Sequence, residues 1–114
     1  MIAPLPKRVR WMGSSLEDLR AFAPETQARL GRELRRVQWG GLPQDSKLMK
    51  TVGSGVMEIR VRTGVAHRLI YIAKFEEAVY VLHAFEKRSR KTSPRDLEIS
   101  RRRLAEVLVA RTGE

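Results

Sequence analysis

The sequence predicts an α+β fold, a small antiparallel-rich sheet packed against an N-terminal helical hairpin and a C-terminal helix. Three observations carry that prediction. Apolar residues recur at helical intervals near both ends of the chain. Between them, residues 56–85 alternate or run apolar as strands do. The connections within that stretch are too short for parallel crossovers, so its strands form a meander.

Residues 1–6 contain Pro4 and Pro6 and are expected to form a loose end. Arg8, Val9, Arg10 and Trp11 form a short first strand. Ser14 stands three residues before Glu17, a capping-box spacing. Leu16, Leu19 and Ala23 follow on one helical face, with Phe22 beside them. Pro24 ends this segment and suits the first turn of the next helix. There Leu30, Leu34 and Val37 form an apolar stripe flanked by Arg29, Arg32, Arg35 and Arg36. Gly40, Gly41 and Pro43 stop it.

After Gly53-Ser54-Gly55 the period changes to two. Met57, Ile59 and Val61 point one way, and Glu58, Arg60 and Arg62 the other. Thr63-Gly64 is a turn. Ala66 to Ala73 is the second strand, and a charged turn, Lys74 to Glu77, leads to the third, Ala78 to Phe85. That strand is apolar on both faces, as a central strand should be. Residues 87–93 have no apolar period and form a loop. Ser93 and Pro94 open the last helix, with Asp96 at the capping position. Leu97, Leu104 and Leu108 supply its stripe, interrupted by Arg101.

A length of 114 residues points to a single domain. No apolar run approaches a membrane span, and no secretory signal pattern is present, so a cytoplasmic location is expected. Without cysteine there is no disulfide framework and no thiolate site; His67 and His83 are too few for a typical zinc centre. Lys and Arg number 23 against 13 Asp and Glu, a formal charge of +10. Residues 87–103 hold eight of the cations and only two acids. Anionic partners follow from such an excess.

Two constellations stand out. Lys87-Arg88-Ser89-Arg90-Lys91 follows an apolar strand directly, and cations fixed at a strand end can hold phosphates. A solvated loop is the plain alternative. Arg60 and Arg62 occupy the polar face of their strand, with Arg68 close across the hairpin. Lys47 and Lys50 precede the sheet in a flexible stretch. Together these cations can line a concave basic site, or simply a solvent-facing sheet with Glu58 pairing one arginine. His83 has the setting of a hydrogen-bonded core histidine. His67, adjacent to Arg68, faces either a ligand or the core. Trp11 and Trp39 are expected as core or hairpin anchors, and Tyr71 and Tyr80 as structural residues.

Taken together, Lys47-Leu48, Met57-Glu58-Ile59-Arg60-Val61-Arg62, His67-Arg68-Leu69-Ile70-Tyr71 and Leu82 through Thr92 resemble the RelE/ParE toxin superfamily. The phage-related HigB-like branch is most similar, with its order of Lys-Leu, Glu-Leu-Arg, Tyr-Arg-Val-Leu-Tyr and Phe-x-Lys-Lys-x-x-Lys-Thr-Pro before a helix. The resemblance covers nearly the whole chain. It implies a fold similar to a microbial ribonuclease and a toxin of a type II toxin–antitoxin system. The implied activity is ribosome-dependent, metal-free cleavage of messenger RNA by 2′-hydroxyl attack, with no cofactor. Implied partners are the ribosome, messenger RNA and a helix-turn-helix antitoxin, with operator DNA reached only through the antitoxin and no membrane.

By position, the resemblance implies catalytic roles for Arg60, Arg68, Lys87 and Arg88. Lys47, Lys50, Arg62, Arg90 and Lys91 are the candidate substrate-binding cations. Glu58, His67 and Lys47 are candidates for a general base. The chain departs from the pattern in three places. Glu58 stands where some relatives are basic, Pro94 where some carry a tyrosine, and His67 where the branch has an aromatic residue. A ParE-like gyrase inhibitor and a non-catalytic nucleic-acid-binding module are the competing functions.

Overall fold

The computed structural model describes residues 5–113. In chain order the elements are β1 (Arg8–Trp11), α1 (Ser15–Arg20), α2 (Pro24–Gln38), β2 (Ser46–Leu48), β3 (Val56–Thr63), β4 (Val65–Ile72), β5 (Ala78–Lys87) and α3 (Pro94–Thr112). The strands form one sheet in the order β1-β5-β4-β3-β2. The α+β class is as predicted, and β3, β4 and β5 form the expected meander. The loose end expected for residues 1–6 lies largely outside the described residues. No helix among them is long and apolar enough to cross a membrane.

The sheet is wider than the meander. β1 pairs in parallel with β5, Val9 opposite Val79. This puts Ala78–Val81 inside the sheet, and the first eight residues of β5 are all buried. On the other side, β2 pairs antiparallel with β3. The flexible stretch expected around Lys47 is therefore corrected: Lys47 belongs to a strand, and Lys50 lies in the turn after it. Three residues are too few to show a period of two.

The helix starts differ in a useful way. At α3, the Ser93 hydroxyl accepts a hydrogen bond from the Asp96 N–H at 3.1 Å and donates to its carboxylate at 2.7 Å. The capping box expected at Ser14 does not form. Its hydroxyl donates to Asp18 Oδ2 at 2.9 Å and accepts from Arg103 at 3.1 Å, so it ties α1 to α3 instead. Pro24 and Pro94 occupy first-turn positions, as expected. In α3 the buried residues are Ser100, Leu104 and Val107. Leu108 is 42% exposed, which corrects the expected stripe. Trp39 is likewise corrected from anchor to surface residue at the end of α2, 57% exposed.

Alternate residues of the strands build two apolar layers. Ile59, Val61, Leu69, Tyr71, Val79 and Val81 pack with Leu30, Leu34 and Val37 of α2. Val56, Ile70, Ile72, Tyr80 and Leu82 pack with Leu104 and Val107 of α3. The β4–β5 register shifts at Ile70/Tyr71: Tyr71 opposes Val81 and Ile70 opposes His83. Leu82 is left unpaired in this bulge, and Leu82 and His83 both engage α3.

Candidate functional site

The turn at Gly64, where φ is +86°, closes the β3–β4 hairpin with no slack. Its register sets Arg60 directly opposite Arg68. Like charges in that relation repel. Glu58, two residues before Arg60 on the same face, lies between them. Its Oε1 is 3.6 Å from Arg60 Nε and 3.5 Å from Arg68 Nε. Lys47 of β2 stands opposite Glu58, and Lys87 at the end of β5 opposite Ala66. α3 packs chiefly on β5.

The cluster is half-buried and incompletely satisfied. Glu58 is 1% exposed, and neither its Oε2 nor Arg68 Nε has a hydrogen-bond partner among the described residues. Arg68 is held in place by donating from Nη1 to the His67 carbonyl at 3.0 Å. Asp45 approaches Arg60 Nη1 only to 3.9 Å and is largely exposed. Burial lowers the pKa of Arg68, against the pull of Glu58 and with the push of Arg60. A guanidinium remains charged regardless. Burial also lowers the pKa of Lys87; Glu58 opposes the shift, while Arg68, Arg60 and Lys47 reinforce it. These groups share one electrostatic field.

Next to the cluster, Lys47, Lys50, Lys87, Arg90 and Lys91 line a cleft between β2 and the basic loop, with Leu97 of α3 on its wall. All five cations are sequence-predicted. Three other candidates are placed elsewhere. Arg62 folds back on the hairpin turn and donates to the Gly64 carbonyl at 3.3 Å. Arg88 is exposed and donates to Glu86 at 3.1 Å, on the far side of the loop. His67 points to the opposite face of the sheet, where its ring lies 4.6 Å from that of Phe22 and its Nδ1 is 3.2 Å from the Val65 carbonyl. The expectation that His67 is a base beside Arg68 is corrected by strand alternation itself. Glu58 does reach the arginines, but as the floor of the cluster.

Residues 17–105 match the model of the family described as phage derived protein Gp49-like (DUF891). The chain belongs to that family. No curated protein matches the chain. The Gp49-like family is RelE/HigB-like, and the matched span contains every member of the basic cluster.

Two features of this Gp49-like chain were not legible beforehand. Asp45 lies outside any sequence pattern. His83 is the hydrogen-bonded core residue that its apolar strand predicts: its Nε2 is 2.7 Å from Asp96 Oδ1. What the sequence did not show is that the partner comes from the first turn of α3. Burial lowers the His83 pKa, and Asp96 opposes that shift. Among the described residues no group of three His, Cys, Asp or Glu is placed to hold a metal ion.

Proposed function

We propose that the chain is the toxin of a type II toxin–antitoxin module and cleaves messenger RNA on the ribosome. The opposed Arg60–Arg68 pair, held over the buried Glu58, carries this reading. Opposed arginines in a half-covered sheet cost stability. A phosphate bound between them would satisfy the donors that the protein leaves open.

In this reading the 2′-hydroxyl oxygen of RNA attacks the adjacent phosphorus and the bond to the 5′-oxygen breaks. The products are a 2′,3′-cyclic phosphate and a 5′-hydroxyl. Arg60 and Arg68 stabilise the charge on the phosphorane, worth about 3 kcal/mol per well-placed donor. Lys87, with its lowered pKa, donates a proton to the leaving oxygen. The 2′-hydroxyl proton passes to water. Glu58 positions the two guanidinium groups, and Lys47, Lys50, Arg90 and Lys91 hold the flanking backbone. A helix-turn-helix antitoxin is the proposed neutralising partner, and operator DNA is reached through it.

The test is controlled expression in bacterial cells with mapping of messenger RNA 5′ ends. New 5′-hydroxyl ends within translated frames, lost in Arg68→Gln, are the expected result. A DNA-damage response without new ends would identify a gyrase inhibitor and overturn the proposal. Salt-sensitive RNA binding without cleavage on translating ribosomes would leave only a binding module. Co-purification with the product of an adjacent reading frame tests the antitoxin.

A further inference from the structure

The basic loop stands between two clefts, and only one of them belongs to the cluster above. The other lies between the end of α1 and the first three turns of α3. Phe22, His83, Arg88, Lys91, Arg95 and Arg102 are among its lining residues. Lys87 and Lys91 line both clefts, so the loop is a shared wall.

Its charge is not cancelled internally. Its lining holds six cations, Lys87, Arg88, Lys91, Arg95, Arg102 and Arg103, against three acids, Asp18, Glu86 and Asp96, of which only Glu86 is paired with one of the six. Lys91, Arg95 and Arg102 are exposed and form no ion pair among the described residues. Between these cations and the floor, Phe22 and Ile99 are half-buried and present apolar surface. His83 forms part of the floor at 5% exposure, stacked on Phe85 at 4.8 Å, and its Nδ1 has no partner among the described residues.

Cations around the half-buried Phe22 and Ile99, over a floor that includes His83, suit one ligand class better than others. An inorganic anion would use the cations and leave the floor idle. A single-stranded nucleotide uses both, with its base against apolar side chains and its phosphate on the rim. We infer that this cleft is a second nucleotide subsite, which takes a residue of single-stranded RNA flanking the reacting phosphate. The inference rests on the proposed RNA-directed function and adds where the strand goes after crossing the loop. Lys91 then contacts the strand from the shared wall, while Arg95 and Arg102 hold the flanking phosphate.

The chain supplies its own reporters. It has two histidines: His83 at this cleft and His67 on the opposite face of the sheet. The imidazole resonances of the full chain are followed by NMR during titration with each ribonucleoside 5′-monophosphate and, separately, with inorganic phosphate. Expected is a saturable shift of His83 with at least one nucleotide, a smaller shift of His67 relayed through Phe22, whose ring lies 4.6 Å from it, and little response of either to phosphate. Arg95→Glu with Arg102→Glu, both at exposed positions, should weaken the nucleotide response about tenfold, as lost phosphate contacts do. Arg95→Gln alone should weaken it less. Arg68→Gln should leave it unchanged. No His83 shift with any nucleotide overturns the inference, as does an equal shift with inorganic phosphate, which would mark a simple anion site. Nucleotide shifts in a chain that cuts no messenger RNA would sink the enzymatic reading and leave the subsite standing.

Discussion

The two faces of the sheet are made from alternate residues of the same strands, and they have opposite characters. On the α1–α2 side, Ile59, Val61, Leu69 and Tyr71 are all at most 4% exposed. On the other side, α3 packs mainly on β5 and on Val56, Ile70 and Ile72, and the same face carries the charged Glu58, Arg60, Arg68 and Lys87. The difference teaches how a small domain holds like charges together. A slip of one residue in β3–β4 pairing would send Arg60 and Arg68 into the core and Ile59 and Leu69 to solvent. The closed face thus fixes the register that the open face needs.

The sharpest test separates charge from fold on the open face. Arg68→Gln should lower messenger RNA cleavage by about a hundredfold or more. Replacing the trio together, Glu58→Gln, Arg60→Gln and Arg68→Gln, should abolish activity yet leave urea stability at least equal to wild type, because no buried charge is left alone. An unfolded triple variant would show that the trio serves the fold. On the closed face, Leu69→Ala should cost about 2–5 kcal/mol in urea unfolding, since Leu69 is fully buried. Unchanged stability there would break the contrast between the faces.

Smaller effects probe α3, which borders the open face. Ser93→Ala should cost about 1 kcal/mol by removing a formed cap. Ser14→Ala should cost a comparable amount in the same assay by a different route: its hydroxyl caps no helix N–H, but it donates to Asp18 and accepts from Arg103 and so ties α1 to α3. The smallest effect is a pH dependence through His83. Burial holds its folded pKa below the ordinary value, so the unfolded chain takes up the proton first, starting at about pH 6.5. Its contribution is complete above that pH and is lost as pH falls toward the folded-state value. Urea midpoints in neutral and mildly acidic buffer should show this loss in wild type, and His83→Gln should flatten it.

Much of the open face was legible because a period of two is a local property. The alternation from Val56 to Arg62 put Glu58 and Arg60 on one face, and the tight Thr63-Gly64 turn brought Arg68 opposite. The same rule placed His67 on the other side, against its candidacy as a base. Less legible were elements that exist only through their neighbours. β2 is three residues long and is defined by pairing with β3. The bulge at Leu82 falls in a strand that is apolar on both faces, so no change of pattern in the sequence marks it. Leu108 and Val107 are adjacent apolar residues of one helix, and only docking on the sheet chose which was buried.

By itself, the sequence determined the helices, every strand but β2, the α3 cap and the excess of positive charge. Each depends on residues within a few positions of one another, where backbone geometry and side-chain spacing act directly. The tertiary structure alone decided which cations meet. It gathered Lys47, Arg60, Arg68 and Lys87 around Glu58, turned Arg62 and Arg88 away, and joined His83 to Asp96. Those outcomes depend on β1 and β2 extending the sheet and on one helix covering half a face, long-range packing that no local period encodes.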